Sequence, residues 1–122
     1  MSVKSPSRVQ VVIAGAGPVG SVAAYRLAQA GIDVLLLEAR GELPEDMRAL
    51  TFHPPTREMM AELGLLDDLE AVGLKAPGYQ YRNRATGEGI AVDMFEIADV
   101  GLHPYRLQCE RVNPTRLIAG KL

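Results

Sequence analysis

A chain of 122 residues has room for about one small domain, and its 48% apolar content is enough for a core. Thirteen basic against fifteen acidic side chains leave a net charge of −2, which offers no field to nucleic acid or to an anionic membrane surface. The single cysteine, Cys109, excludes an internal disulfide and cannot build a zinc site alone. With a short polar start and an apolar run broken by glycines, there is no signal peptide or membrane span, and the chain reads as cytoplasmic.

Residues 9–14 form an apolar, β-branched run, the pattern of a strand buried on both faces of a parallel sheet. Residues 15–20 break it with three glycines, and Pro18 suits the first turn of a helix because its missing N–H would have had no partner there. Val19, Val22, Ala23, Leu27 and Ala30 then predict one small apolar helical face, ended by Gly31. Residues 34–37 are a second strand, closed by Glu38, so a right-handed βαβ unit is expected. Residues 41–55 hold three prolines and read as an irregular connection. Helices are expected over 57–63, stopped at Gly64, and over 66–72, stopped at Gly73. Residues 79–84 and 90–95 alternate polar with apolar around 85–89, which predicts a hairpin with one wet face. Asn113 is placed to cap a last helix that starts at Pro114. Leu117 and Ile118 give that short helix an apolar side in need of cover.

The chemistry sits in the first unit. Gly15, Gly17 and Gly20 stand with Ala24, Leu27, Gly31, Val34 and Glu38 at the offsets of a dinucleotide fingerprint. Gly15 allows the tight turn, Gly17 keeps a side chain away from a pyrophosphate, and Gly20 lets helix and strand pack closely. A helix N-terminus offers unpaired N–H groups and a positive dipole end to phosphates. Glu38 can accept both ribose hydroxyls of an adenosine and would repel a 2′-phosphate. Ala16, Pro18 and Val19 in the loop and Ala39 and Arg40 after Glu38 complete the candidate cofactor-binding set. Arg40 either stacks near an adenine or forms a surface ion pair. The frame alone leaves NAD and FAD both open.

Met47-Arg48-Ala49-Leu50, then Pro55-Thr56-Arg57-Glu58-Met59-Met60, Leu63-Gly64-Leu65-Leu66-Asp67 and Gly73 follow. With Tyr105-Arg106-Leu107-Gln108-Cys109-Glu110, this text resembles the FAD-dependent aromatic-ring hydroxylases of the p-hydroxybenzoate hydroxylase superfamily, from about residue 9 to the end. The resemblance implies FAD as cofactor, with Arg48 beside its pyrophosphate and adenosine and Gln108 on its ribityl side. A guanidinium suits phosphate oxygens because it can bind them with two parallel hydrogen bonds. The plain alternatives are a solvated loop arginine for Arg48 and a polar strand-end residue for Gln108. It also implies NAD(P)H as transient co-substrate, and transfer of a hydroxyl from O2 to a small phenolic substrate.

Two later motifs of that family, an Asp-Gly and a Gly-Asp element, are missing. The expected fold is therefore α/β and incomplete: a Rossmann-type βαβ FAD-binding unit with the start of a hairpin-containing substrate domain. Residues 1–75 would open the FAD-binding domain, 76–104 the substrate domain, and 105–122 would return to the first. Such a piece is expected to need the remainder of an enzyme or self-association to cover its core, to bind FAD weakly and not to turn over alone. The rival readings are a non-catalytic nucleotide-binding fragment, and another Rossmann FAD or NAD oxidoreductase. Within the latter, a flavin disulfide reductase is weakened by the lack of a CxxC pair. No catalytic residue can be named, and no metal site is expected: His53 and His103 each precede a proline without a second ligand at metal spacing. Cys109 reads as a small apolar residue and Met47, Met59, Met60 and Met94 as core; Tyr79, Tyr81 and Tyr105 could line an aromatic pocket, although hairpin packing explains the first two without one.

Overall fold

The computed structural model describes residues 8–42, 51–110 and 112–122. In chain order it contains β1 (Val11–Ala14), α1 (Pro18–Gln29), β2 (Val34–Leu37), β3 (Thr51–Phe52), α2 (Pro54–Glu62) and α3 (Leu66–Val72). Then come β4 (Leu74–Ala76), β5 (Gly78–Arg82), β6 (Gly89–Asp93), a 3-10 turn (Met94–Ile97), β7 (Arg106–Gln108) and α4 (Val112–Ala119). The chain divides into two compact units, Met1–Asp46 with Arg111–Leu122, and Met47–Glu110.

In the first unit β1 and β2 pair in parallel, Val11 opposite Val34 and Ala14 opposite Leu37, with α1 as the crossover. The expected βαβ unit is there, but two details differ. Val12 is 57% and Leu37 48% exposed, so β1 is not buried on both faces: its sheet has two strands, and one side is left uncovered. Nor does α1 pack through Val19, Ala23 and Ala30, which are exposed; it buries Ser21 and Ala24. The cause is close approach: a Cβ on Gly20 would lie 2.0 Å from the Gly15 carbonyl oxygen, so only the smallest side chains fit on that face. The last helix also begins earlier than expected. Asn113 lies inside α4 rather than capping it, and Ile118 is fully buried where α4 packs on α1. The apolar side of α4 thus finds cover within its own unit.

The second unit is built on the sheet order β3-β7-β4, all antiparallel. Gln108 pairs with Thr51 on one side and Leu74 on the other. Leu65, Leu69 and Leu107 are fully buried, each contributing about 1.5–3 kcal/mol by the usual transfer arithmetic. The connection expected to be irregular over 41–55 contains β3, and α2 begins three residues before the expected Arg57, with Pro54 and Pro55 in its first turn. Proline suits those positions, so it opens this helix instead of excluding it. Gly64 ends α2 with φ +70, as a glycine stop should. Gly73 does not: its φ is −99, and what excludes a side chain there is β7, since a Cβ would stand 2.8 Å from Leu107 Cδ1 and 3.1 Å from the Gln108 carbonyl oxygen. The hairpin forms with Gly78 opposite Asp93 and Arg82 opposite Gly89. Its strands are exposed on both faces over much of their length, rather than on one.

Candidate cofactor site

The glycine loop is braced by four hydrogen bonds. The Gly15 N–H donates to the Leu37 carbonyl at 2.7 Å, which ties the end of β1 to the end of β2. The Ala16 N–H donates to Glu38 Oε2 at 2.9 Å, and the Arg40 N–H to Glu38 Oε1 at 3.1 Å. Ser21 Oγ donates back to the Ala16 carbonyl at 3.1 Å. Sequence reasoning missed Ser21; the signal was a small polar residue directly after Gly20, on the face where the helix meets the loop.

The three glycines carry three different reasons. Gly15 has φ +106, a backbone that side chains rarely adopt. Gly20 is required by the contact with Gly15. A Cβ on Gly17 would meet nothing within 4 Å, so the chain's own packing does not ask for a glycine there. Gly17 is also the N-cap of α1, in extended backbone with no side-chain cap and no acidic residue in the first turn. The helix therefore presents bare N–H groups and an uncompensated positive end at a spot kept clear of side chains, which fits a pyrophosphate. Ala16 is buried, Pro18 half-buried and Val19 81% exposed beside this spot.

Glu38 is exposed at the end of β2. The Arg40 backbone N–H, then that of Ala16, hold its carboxyl below the usual value, so it is anionic at neutral pH. A carboxylate has about four acceptor positions, and two are used here, leaving capacity for both hydroxyls of a ribose. Ala39 and Arg40 are exposed next to it.

Gln108 lies in the second unit, exposed on β7. Arg48 lies outside the described residues, as does Met47. The first unit thus brings together Gly15 to Gly20 and Glu38 to Arg40.

The second unit holds a charged cluster that periodicity did not announce. Arg57 is fully buried, three residues before the buried Met60 on one stripe of α2, and its guanidinium carbon stands 3.5 Å from the centroid of the Tyr105 ring. The Tyr105 hydroxyl donates to Glu70, which pairs with Lys75 Nζ at 2.6 Å. Glu58, next to Arg57, accepts from the His103 N–H at 3.1 Å. The His103 Nδ1 lies 3.0 Å from the same oxygen but off hydrogen-bond geometry, so the backbone bond is the directional one. His53 is the N-cap of α2 and Cys109 is buried. Tyr105 lies in this cluster. Tyr79 sits under the Arg106 guanidinium at 4.5 Å and meets Tyr81 edge-on at 5.5 Å, while Tyr81 itself is 68% exposed. Tyr79 also lines an open hollow of about 450 Å³ with Pro77, Val92 and Phe95. Among the described residues, no helix is long and apolar enough to cross a membrane.

Comparison with known proteins gives the family. The family model described as FAD binding domain matches residues 8–115. The 6-hydroxy-3-succinoylpyridine 3-monooxygenase of Pseudomonas putida is 37% identical over 93% of the chain, and the chain covers 29% of that relative. The para-nitrophenol 4-monooxygenase of a Pseudomonas species is 37% identical over 80% of the chain, which covers 24% of its length. The crystal structure of p-nitrophenol 4-monooxygenase from Pseudomonas putida superposes on 90% of the chain with a TM-score of 0.83 at 32% identity, the match spanning 28% of that chain. The chain thus spans 24–29% of the length of these relatives.

Proposed function

This chain belongs to the FAD binding domain family, and from that premise we propose that it forms the FAD-binding part of a flavin-dependent monooxygenase that hydroxylates a small phenolic or related aromatic substrate with NAD(P)H and O2. The observation that carries the reading is the braced loop: a bare helix N-terminus, an empty approach at Gly17 and an anionic Glu38, all in one unit. Gly17 and the first turn of α1 hold the pyrophosphate, and Glu38 holds the adenosine ribose. Arg48 adds a guanidinium to the phosphates, and Gln108 faces the ribityl side. The chemistry supplied by bound FAD is the two-electron transfer from NAD(P)H to O2 that puts one oxygen atom on the ring and the other into water. The substrate class is supported by the relatives, whose names specify a hydroxypyridine and a nitrophenol.

FAD titration of the wild type and Gly17→Val tests the site. Flavin bound by the wild type and lost in the variant is expected, because the valine occupies the pyrophosphate's place. Equal stoichiometry in both overturns it. Turnover is tested on the gene's whole product: FAD-dependent NAD(P)H consumption, stimulated by a phenol and yielding a product heavier by one oxygen, is expected. FAD-loaded protein that oxidises no NAD(P)H with any phenol overturns the monooxygenase reading.

A further inference from the structure

We propose that Arg57 is a positioning residue for cofactor binding: stacked on Tyr105, it fixes the face on which β7 presents Gln108. The inference rests on the reading of Gln108 as a residue on the ribityl side of FAD.

The argument starts from the parity of β7. Leu107 is fully buried and Cys109 5% exposed, while Gln108 and Glu110 are exposed. Tyr105, in the run entering β7, shares the parity of Leu107 and Cys109 and meets the side chains of α2 and α3. Gln108 has the opposite parity. Side chains along a strand alternate with a period of two, so a slip of one residue in the entry to β7 would turn Gln108 into the core. The strand is three residues long, so its pairing with β3 and β4 spans few residues, and the run that enters it adds to what fixes the register.

The entry to β7 is also held from outside the sheet, on both sides of Pro104. Glu58 of α2 takes the His103 N–H at 3.1 Å. Arg57 of the same helix covers the face of Tyr105 at 3.5 Å, and Glu70 of α3 accepts the hydroxyl at the ring's edge. Face and edge together leave the ring one position.

Arg57 is an expensive way to fill that space. Its Nε and both Nη atoms are buried with no hydrogen-bond partner among the described residues. A buried cation without hydrogen bonds costs free energy to desolvate. For packing alone a methionine would serve. What the guanidinium adds is a rigid plane on the ring and a positive charge near the Glu70 carboxylate, which in turn holds the Tyr105 hydroxyl. The charge also favours the ionised Glu70, but the plane on the ring serves orientation.

The test uses the full chain, with FAD affinity from flavin fluorescence, ADP affinity by calorimetry and thermal midpoints for Arg57→Met, Arg57→Lys, Gln108→Ala and the Arg57→Met/Gln108→Ala pair. Arg57→Met is expected to lower the midpoint modestly, through the lost charge beside Glu70, and to weaken FAD about tenfold, one decade being the scale of a single lost directed contact. ADP, which carries only the adenine half, should bind unchanged. Arg57→Lys keeps the charge but not the plane and should lose FAD as Met does; it also stands in if Arg57→Met does not fold. The double variant should bind FAD no more weakly than Gln108→Ala alone, because the two residues act in series. A parallel loss of midpoint, FAD and ADP would make Arg57 merely structural and overturn the proposal. Weakened FAD in Gln108→Ala with full affinity in both Arg57 variants overturns the positioning role alone. Full FAD affinity in Gln108→Ala removes the underlying reading of Gln108, and the proposal with it.

Discussion

Glu38 accepts a hydrogen bond from the Ala16 N–H at 2.9 Å, across 22 residues of sequence, and so ties the end of β2 to the loop that follows β1. The carboxylate that we propose holds a ribose therefore also shapes the glycine loop. Removing it should act on both halves of the adenosine diphosphate moiety. Glu38→Ala is expected to weaken FAD more than FMN, which lacks the adenosine. Titration of both flavins against wild type and variant checks this, and an equal loss for the two would refute the assignment.

The Glu38–Ala16 bond should also give cofactor binding an acid limit. Backbone N–H groups of Arg40 and Ala16 lower the folded pKa of Glu38. A depressed carboxyl contributes fully above its unfolded value, about pH 4.3, and the contribution is lost as pH falls through the lower folded value. FAD affinity should thus be flat from neutral pH to about pH 5 and fall below about pH 4. Glu38→Gln, which cannot ionise, should start weaker and show a smaller fall. Affinities measured between pH 7 and pH 3.5, while the fold persists by circular dichroism, separate the two curves.

Gly17 and Gly20 should respond in opposite ways to the same added methyl. A Cβ at Gly20 meets the Gly15 carbonyl at 2.0 Å, backbone against backbone, so Gly20→Ala must push α1 away from the loop. Overpacking of this kind costs about 1–3 kcal/mol, seen as a lower urea midpoint without any ligand. Gly17→Ala meets no atom and should unfold like the wild type, yet bind FAD worse. Gly17→Ala with wild-type FAD affinity would remove Gly17 from the site.

Glu70 gathers the Tyr105 hydroxyl and Lys75, and Glu70→Gln should destabilise the second unit. Burial pushes the Glu70 carboxyl up, but the bonds from Lys75 and Tyr105 and the charge of Arg57 outweigh it, and the net shift is down. The stabilisation is thus present above about pH 4.3 and disappears as pH falls. Hydrogen bonds to a charged group suggest about 1–3 kcal/mol at neutral pH. Urea midpoints of wild type and Glu70→Gln should differ at pH 7 and converge near pH 4. A gap that persists in acid would show that the carboxylate charge is not the cause.

The legible parts of this chain were those set by local rules. Gly15, Gly17, Gly20 and Glu38 each answer a backbone or charge requirement that holds within one βαβ unit, and the structure places them together. The face of α1 was misread because close approach, not hydrophobicity, selects it: Ser21 is buried while Val19 is out. β3 and β4 run for two and three residues, too few for an alternation to be seen. Arg57 was invisible for a different reason. Arginine is normally a surface residue, and here it is buried against the Tyr105 ring, 48 positions away by number.

Gly73 offers a last check on β7. Its backbone is one that any residue can adopt, with φ −99 and ψ 170, so alanine brings no conformational strain. A methyl there would nevertheless stand 2.8 Å from Leu107 Cδ1, 3.0 Å from the Leu69 carbonyl and 3.1 Å from the Gln108 carbonyl. Leu107 Cδ1 can rotate away at small cost, but the two carbonyls belong to α3 and to β7 and cannot both yield. The expected result of Gly73→Ala is a loss of about 1–3 kcal/mol, the range for overpacking, together with weaker pairing of Leu74 to Gln108. Amide hydrogen exchange reads that pairing directly, and protection should fall across β4 and β7 while the β1–β2 pair keeps its own. If Gly73→Ala unfolds at the wild-type urea concentration with β7 protection intact, the close packing of α3 against β7 is wrong.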